Sequence, residues 1–207
     1  MKDYKYYIFD QGNVILDINP QLSLEAFSSI INPCEADCIT ASDLLGGCDN
    51  KFITDYMLGL VTTDQFIDYL MPVMREGTTR NQVVEAWDAL ILDIPNERLN
   101  ALLKLRAEGK KTYMLSNTND EHVRHIIYKC FAGNRHEMER CFDALFFSCE
   151  MHLAKPSPEI FLEVISQTGM NPKEAIFIDD LQNNLDTAAK LGFSTLLSTG
   201  NHWLDVL

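Results

Sequence analysis

Four short segments carry most of the chemistry available to this chain. They are Phe9-Asp10-Gln11-Gly12-Asn13-Val14, Met114-Leu115-Ser116-Asn117-Thr118-Asn119, Lys155-Pro156-Ser157-Pro158 and Phe177-Ile178-Asp179-Asp180. Together they supply an aspartate, a hydroxyl, an ammonium and two adjacent carboxylates. An aspartate at a strand end can attack phosphorus and form an aspartyl-phosphate. Adjacent carboxylates repel each other, so a buried pair calls for a cation. Magnesium takes few protein carboxylates and keeps waters and substrate oxygens. Asp10 and Asp180 offer two such ligands, and the Gly12 carbonyl a third. The Ser116 hydroxyl and free backbone N–H groups at Ser116-Asn117 suit phosphate oxygens. Lys155 precedes a proline, which holds its backbone extended. Its ammonium can offset negative charge on a phosphoryl group and on Asp10. Each residue alone has a plainer reading: a turn-forming Asp, a Ser-Asn turn, a solvated lysine or a helix-capping Asp. The combination is what points to magnesium-assisted phosphoryl transfer.

The surrounding elements must bring these segments together. Three of the four directly follow an apolar run that reads as a buried parallel strand, at the sheet edge where open α/β folds bind ligands. Tyr4 to Phe9 is the first such strand. From about Pro20 to Ile91 the apolar residues take helical spacing, as in Phe52, Tyr56 and Leu60, or Phe66, Ile67, Leu70 and Met74. Thr62-Thr63-Asp64 reads as a helix start. Helix and strand then alternate. Helices are expected around Leu99 to Leu105, Asp120 to Phe131, from Ser157-Pro158 to about Gly169, and over Asn183 to Leu191. Ser157 should cap the third of these, with proline at its first position. Strands are expected at Lys111 to Leu115, Ala144 to Phe147, Ala175 to Ile178 and Phe193 to Leu197. Residues 135–140 read as a loop or short helix. This repetition predicts a doubly wound parallel sheet of the Rossmann type, with helices on both faces. The expected division is an α/β core of residues 1–18 and 93–207, interrupted by a helical cap of residues 19–92.

The 207 residues are 46% hydrophobic, enough for a packed core, and the net charge is −13. Such a surface repels nucleic acid and anionic lipid. It also gives weight to any lysine near an anionic substrate. The six cysteines, Cys34, Cys38, Cys48, Cys130, Cys141 and Cys149, contain no CxxC and form no zinc pattern. They read as reduced, mostly buried thiols of a cytoplasmic protein, with Cys34 and Cys38 the nearest pair and metal binding there a remote alternative. No signal-peptide pattern and no apolar run of membrane-spanning length is seen. A small phosphorylated molecule is therefore the expected partner, with no nucleic acid or membrane. Oligomeric state is not written in these features. His122 and His125, three apart on a helix, are compatible with a metal but read first as surface residues. Phe131 and Phe142 read as core. Gly46-Gly47, flanked by Asp43 and Asn50, reads as a hinge, a substrate-contact turn or a plain loop.

With these motifs in order, the chain resembles the haloacid dehalogenase superfamily of aspartate-nucleophile hydrolases, in particular its branch of bacterial sugar-phosphate phosphatases of the α-glucose-1-phosphatase type. The resemblance covers nearly the whole chain. It implies Asp10 as nucleophile and metal ligand, the Gly12 carbonyl and Asp180 as further ligands, Ser116 and Asn117 at the phosphate, and Lys155 as charge stabiliser. Asp179 and Asn184 fit supporting positions, and the cap would close over the site and select the substrate. Two positions depart from the usual pattern. A second aspartate, acting as general acid and base, usually stands where this chain has Gly12. Its loss removes help typically worth ~10²–10⁴-fold and argues for a good leaving group, such as the anomeric oxygen of a hexose 1-phosphate. His152 stands where glycine is common. It reads as a turn residue at the rim, or as a stand-in proton donor. Two rivals remain: a metal-independent haloacid dehalogenase, and a catalytically weak protein that binds a phosphorylated ligand.

Overall fold

The computed structural model describes residues 3–32 and 50–206. Cys34, Cys38, Cys48, Asp43 and Gly46-Gly47 lie outside them. Five strands, β1 (Tyr6–Phe9), β2 (Lys111–Ser116), β3 (Ala144–Phe147), β4 (Ala175–Asp179) and β5 (Ser194–Leu197), form one sheet in the order β3-β2-β1-β4-β5. Every pairing is parallel, with Phe9 level with Met114 on one side and with Ile178 on the other. This is the doubly wound α/β fold expected from the alternation. The strands lie within two residues of their expected bounds, β1 starting latest because Tyr4 does not join the ladder.

Side-chain alternation along the strands divides the core into two layers. Tyr7, Phe9, Met114, Ile176 and Ile178 face one way. They pack against Leu102 of α5 (Asn96–Ala107), Val123 and Ile126 of α6 (Asp120–Cys130), and Trp203 near the carboxyl end. Ile8, Tyr113, Leu115 and Phe177 face the other way, against α9 (Pro158–Thr168) and α10 (Gln182–Lys190). Burying each large side chain contributes about 1.5–3 kcal/mol. The helix α9 ends at Gly169, whose left-handed backbone (φ +65°) lets its N–H reach the Ile165 carbonyl. Ser157 precedes α9 as expected, but its hydroxyl turns to the Glu159 carboxylate and makes no capping bond to the backbone. Residues 135–139 form a short helix, α7, and Phe131 and Phe142 are core residues.

Between β1 and α5 the described chain is helical: α1 (Pro20–Ile30), α2 (Lys51–Met57), α3 (Thr63–Leu70) and α4 (Arg80–Asp88). Asn50 caps α2, accepting from the Phe52 N–H at 3.0 Å. Thr62 and Gln65 cap α3 reciprocally. These helices build a third apolar cluster around Phe27, Tyr56, Phe66 and Trp87, with the Tyr56 and Phe66 rings stacked at 4.2 Å. The chain enters and leaves this region side by side. Ile18 bridges Ile91, the Asn19 N–H donates to Leu90, and Leu92 donates to Asp17. No helix among the described residues is long and apolar enough to cross a membrane.

Among the described residues, two joints between the helical region and the sheet-bearing region carry the closest packing. At the first, the turn after α2 sits on α8 (Ser148–Met151). The Ser148 hydroxyl reaches both the Met57 carbonyl (2.7 Å) and the Thr118 carbonyl (2.9 Å). Gly59 (φ +67°) lies so close that a Cβ there would stand 2.0 Å from the Cys149 carbonyl oxygen. Gly59→Ala combines left-handed strain with a backbone clash, so it should cost about 2–3 kcal/mol. Thermal melts check this; an unchanged midpoint would show that the turn does not seat here.

At the second joint, α4 packs on α6, and here one of the expected surface histidines, His122, is found inside while His125 is half-buried. His122 is buried, stacks on Trp87 and donates Nε2–H to the Trp87 carbonyl at 3.2 Å, and burial holds its pKa down at about 4. His125 Nδ1 lies 3.0 Å from Asp88. Burial and the neighbouring Glu121 carboxyl push Asp88 up to about 8, while Glu121 pairs with Arg124. In an unfolded chain an Asp titrates near ~3.9. Between these values the folded protein holds a proton that the unfolded chain has released. The stabilisation is therefore whole below ~3.9 and is lost as pH rises through about 8. Asp88→Asn keeps the neutral form, so it should melt above wild type at pH 9, with the difference shrinking steadily as pH falls towards 4. Parallel pH dependence of the two proteins would refute the buried acid.

Candidate active site

β1 lies in the middle of the sheet. The chain leaves it for β2 and β3 on one side and returns to β4 and β5 on the other. The carboxyl end of β1 is thus the switch point, where an open α/β sheet leaves a crevice. Asp10 is the first residue beyond β1, and its N–H continues the ladder to the Ile178 carbonyl at 2.8 Å. That register sets Asp10 level with Asp179 and on the same face of the sheet. Ser116 ends β2 on the other side.

Lys155 comes in from the loop between α8 and α9. The Asn117 side chain clamps its backbone from both directions: Asn117 Nδ2 donates to the Lys155 carbonyl (2.8 Å), and the Lys155 N–H donates to Asn117 Oδ1 (2.9 Å). The lysine side chain is 2% exposed, and its Nζ donates to Asp10 Oδ1 (2.6 Å) and Asp179 Oδ2 (2.7 Å). Burial alone would lower its pKa, but the two carboxylates outweigh burial and raise it. Asp10 is pushed up to about 6, chiefly by burial, with Lys155 opposing and Asp179 reinforcing the shift.

The two adjacent aspartates have different surroundings. Asp179 is fully buried and accepts from Lys155, from the Leu181 N–H (2.8 Å) and from Asn184 Nδ2 on both oxygens (3.0 and 3.1 Å). Its acceptor capacity is largely used. Asp180 is half-buried and accepts from Asn13 Nδ2 at 2.9 Å. Asn13 is left-handed (φ 57°), a conformation asparagine tolerates better than most residues. One oxygen from each of Asp10, Asp179 and Asp180 lies within 4.8 Å of the others. Three carboxylates against one ammonium leave a net charge of −2. A hard divalent cation with oxygen ligands cancels that excess, and the donor set fits magnesium.

The structure therefore brings Asp10, Lys155, Asp179, Asp180 and Asn184 into one cluster, with Ser116 and Asn117 on its β2 side. The Ser116 hydroxyl donates to Gln11 Oε1 at 3.2 Å. The Asn117 amide is occupied with Lys155, so Asn117 has its backbone N–H to offer a ligand. Gly12 has no carboxylate, and a Cβ there would stand 3.2 Å from Ile18 Cδ1. His152 is an exposed left-handed residue (φ 56°) after α8, and its Nδ1 lies 2.8 Å from the Leu58 carbonyl. That contact ties the turn after α8 to the helical region.

Sequence reading missed three contributors. Asn13 joins the first motif to Asp180, Gln11 meets Ser116, and Ile18 faces Gly12. The backbone around them is held from afar. The carbonyls of Asn13, Val14 and Ile15 accept from the Gly200 N–H (2.6 Å), Trp203 Nε1 (3.0 Å) and Arg98 Nη1 (3.1 Å). No local pattern in the sequence announces such contacts.

Comparison with known proteins agrees with this geometry. The description haloacid dehalogenase-like hydrolase matches residues 4–192. The chain is 28% identical over 191 residues to D-ribitol-5-phosphate phosphatase of Bacteroides thetaiotaomicron, covering 92% of this chain and 90% of that one. Its structure resembles that of a haloacid dehalogenase-family enzyme from the same organism, with a TM-score of 0.86 at 33% identity over 99% and 98% of the two chains. The wild-type form of that enzyme, in complex with magnesium and inorganic phosphate, gives a TM-score of 0.85 at 32% identity over 99% of each chain.

Proposed function

The chain belongs to the haloacid dehalogenase-like hydrolase family, a magnesium-dependent phosphoric monoester hydrolase by its likeness to phosphatase relatives, and we propose that it cleaves a small sugar or sugar-alcohol phosphate through an aspartyl-phosphate on Asp10. The observation that carries this reading is the buried Lys155 ammonium bridging Asp10 and Asp179, with Asp180 beside them. In the proposed division, residues 1–18 and 93–207 form the catalytic core, and residues 19–92 cover the crevice and select the substrate.

Magnesium, held by Asp10, Asp180 and the Gly12 carbonyl, would supply positive charge against the phosphoryl oxygens. The remaining steps belong to the chain. Asp10 attacks phosphorus with a carboxylate oxygen and the substrate's alcohol oxygen leaves. Lys155 has three N–H donors; two hold Asp10 and Asp179, which leaves one for a phosphoryl oxygen. That ammonium fixes the nucleophile's orientation and offsets charge at the same time. Ser116 donates its hydroxyl proton, and Asn117 its backbone N–H, to other phosphoryl oxygens. Asn117 also keeps Lys155 in place. Water then attacks the aspartyl-phosphate at phosphorus and restores Asp10.

No carboxyl at position 12 protonates the departing oxygen, so a leaving group of low basicity is favoured, as in a hexose 1-phosphate. The ribitol phosphate cleaved by the relative has an ordinary alkyl leaving group. A phosphate-release assay with glucose 1-phosphate, ribitol 5-phosphate and 2-chloropropionate separates these readings. Phosphate should be released with magnesium and lost on adding EDTA. The anomeric phosphate should be preferred by at least ~10-fold in kcat/KM, the low end of what a general acid supplies to a poor leaving group. Faster cleavage of ribitol 5-phosphate would reject the leaving-group argument. Chloride release that survives EDTA would reject the phosphatase in favour of a dehalogenase.

A further inference from the structure

The side chain of Gln11 lies beside the nucleophile and is almost wholly enclosed, at 2% exposure. Its backbone is rigidly placed, because the Gln11 carbonyl accepts from the N–H groups of both Ile15 (3.0 Å) and Leu16 (2.8 Å). Its amide is only half satisfied. Oε1 accepts from the Ser116 hydroxyl at 3.2 Å, while Nε2 is buried with no hydrogen-bond partner. A buried donor left unpaired is uncommon and calls for an explanation.

The consequence for Ser116 is direct. A hydroxyl has one proton, and here that proton points at Gln11. In this arrangement Ser116 has nothing to donate to a phosphoryl oxygen. Turning the Gln11 amide by 180° exchanges two atoms of nearly equal size. Nε2 then donates to Ser116 Oγ across the same 3.2 Å gap, and the Ser116 proton becomes free. Either orientation leaves one amide atom unpartnered, so the two arrangements lie close in energy and a bound anion can select between them.

We propose that Gln11 is a positioning residue that aims the Ser116 hydroxyl at the phosphoryl group. With the crevice empty, the Gln11 carbonyl holds the serine proton. With a phosphoryl group present, the Gln11 N–H donates to Ser116 Oγ and the serine O–H donates to a phosphoryl oxygen. Donors in such a chain polarise one another. This inference rests on the reading of Ser116 as a phosphoryl ligand and adds the group that controls its proton.

A double-mutant cycle tests it, with p-nitrophenyl phosphate and magnesium as the assay and inorganic phosphate as a competing ligand. Gln11→Met, which preserves length without polar atoms, should lower kcat/KM about tenfold, as expected for one hydrogen bond. It should weaken phosphate inhibition by a similar factor. Ser116→Ala should lose as much or more. The double variant should be no worse than Ser116→Ala alone, because Gln11 acts only through that hydroxyl. Gln11→Leu, a second apolar replacement of different shape, should match the loss in Gln11→Met, and unchanged melting points in both guard against a packing artefact. Losses that multiply in the double variant would overturn the proposal while leaving the phosphatase reading intact. Full activity in Gln11→Met would do the same. Wild-type protein that releases no phosphate would overturn both.

Discussion

Asp10→Asn should abolish phosphate release, by about 10⁴-fold or more, while the protein melts no lower than wild type. The amide cannot attack phosphorus, yet its carbonyl can still accept from Lys155, so the geometry survives. Stability moves the other way for an electrostatic reason. Burial pushes Asp10 up to about 6, above the ~3.9 of an unfolded chain. The stabilisation linked to its proton is therefore whole below ~3.9 and lost as pH rises through about 6. At pH 7.5 and without metal, wild type carries that ionised carboxylate and the variant does not. Kinetics and melting curves on the same samples check both halves. Activity within tenfold of wild type would remove Asp10 from the reaction. A large loss of stability would mean that its charge is needed for folding.

Lys155→Met should damage both activity and stability. It removes a charged donor aimed at the phosphoryl group, a loss of about 10²–10³-fold in kcat. It also strands Asp10 and Asp179, which now face each other in a buried space without their shared ammonium. Removing one partner of a buried ion pair costs about 3–5 kcal/mol. Because part of that cost is uncompensated negative charge, excess magnesium should raise the melting point of the variant more than that of wild type. Adding Asp179→Asn to Lys155→Met should recover part of the stability and none of the activity. A variant as stable as wild type in the absence of metal would contradict the electrostatic account of the cluster.

The outline of the fold was legible because strand ends and helix starts are marked locally. Apolar runs such as Ala175 to Ile178 can only be buried strands in an α/β pattern, and Thr62, Pro158 and Gly169 mark helix limits by backbone chemistry alone. Asp10, Asp179 and Asp180 were legible for a related reason, since each stands at a strand end, and Lys155 because it stands just before the Pro158 helix start. What stayed hidden depends on contacts across the chain. Asn13 looks like a turn residue until its amide is seen on Asp180, 167 residues away. His122 looks like a helix-surface residue until α4 is laid over it. Its three-residue spacing from His125 carries no information about what covers that face. Asn117 was expected at the phosphate, and the grip of its amide on the Lys155 backbone needed coordinates. Ser157 shows the opposite error. The right residue type stood in the right place, and its hydroxyl chose a nearby carboxylate instead of the helix backbone.

The three carbonyls of residues 13–15 are satisfied by groups from Arg98, Gly200 and Trp203. Two of these anchors, Gly200 and Trp203, stand nearly two hundred positions after Asp10 in the sequence. A nascent chain thus holds Asp10 long before it holds the scaffold that shapes the turn around it. A chain cut short before Gly200 should therefore fold without the hydrogen bonds that brace the Asp10 turn, and that turn should exchange its amide protons faster.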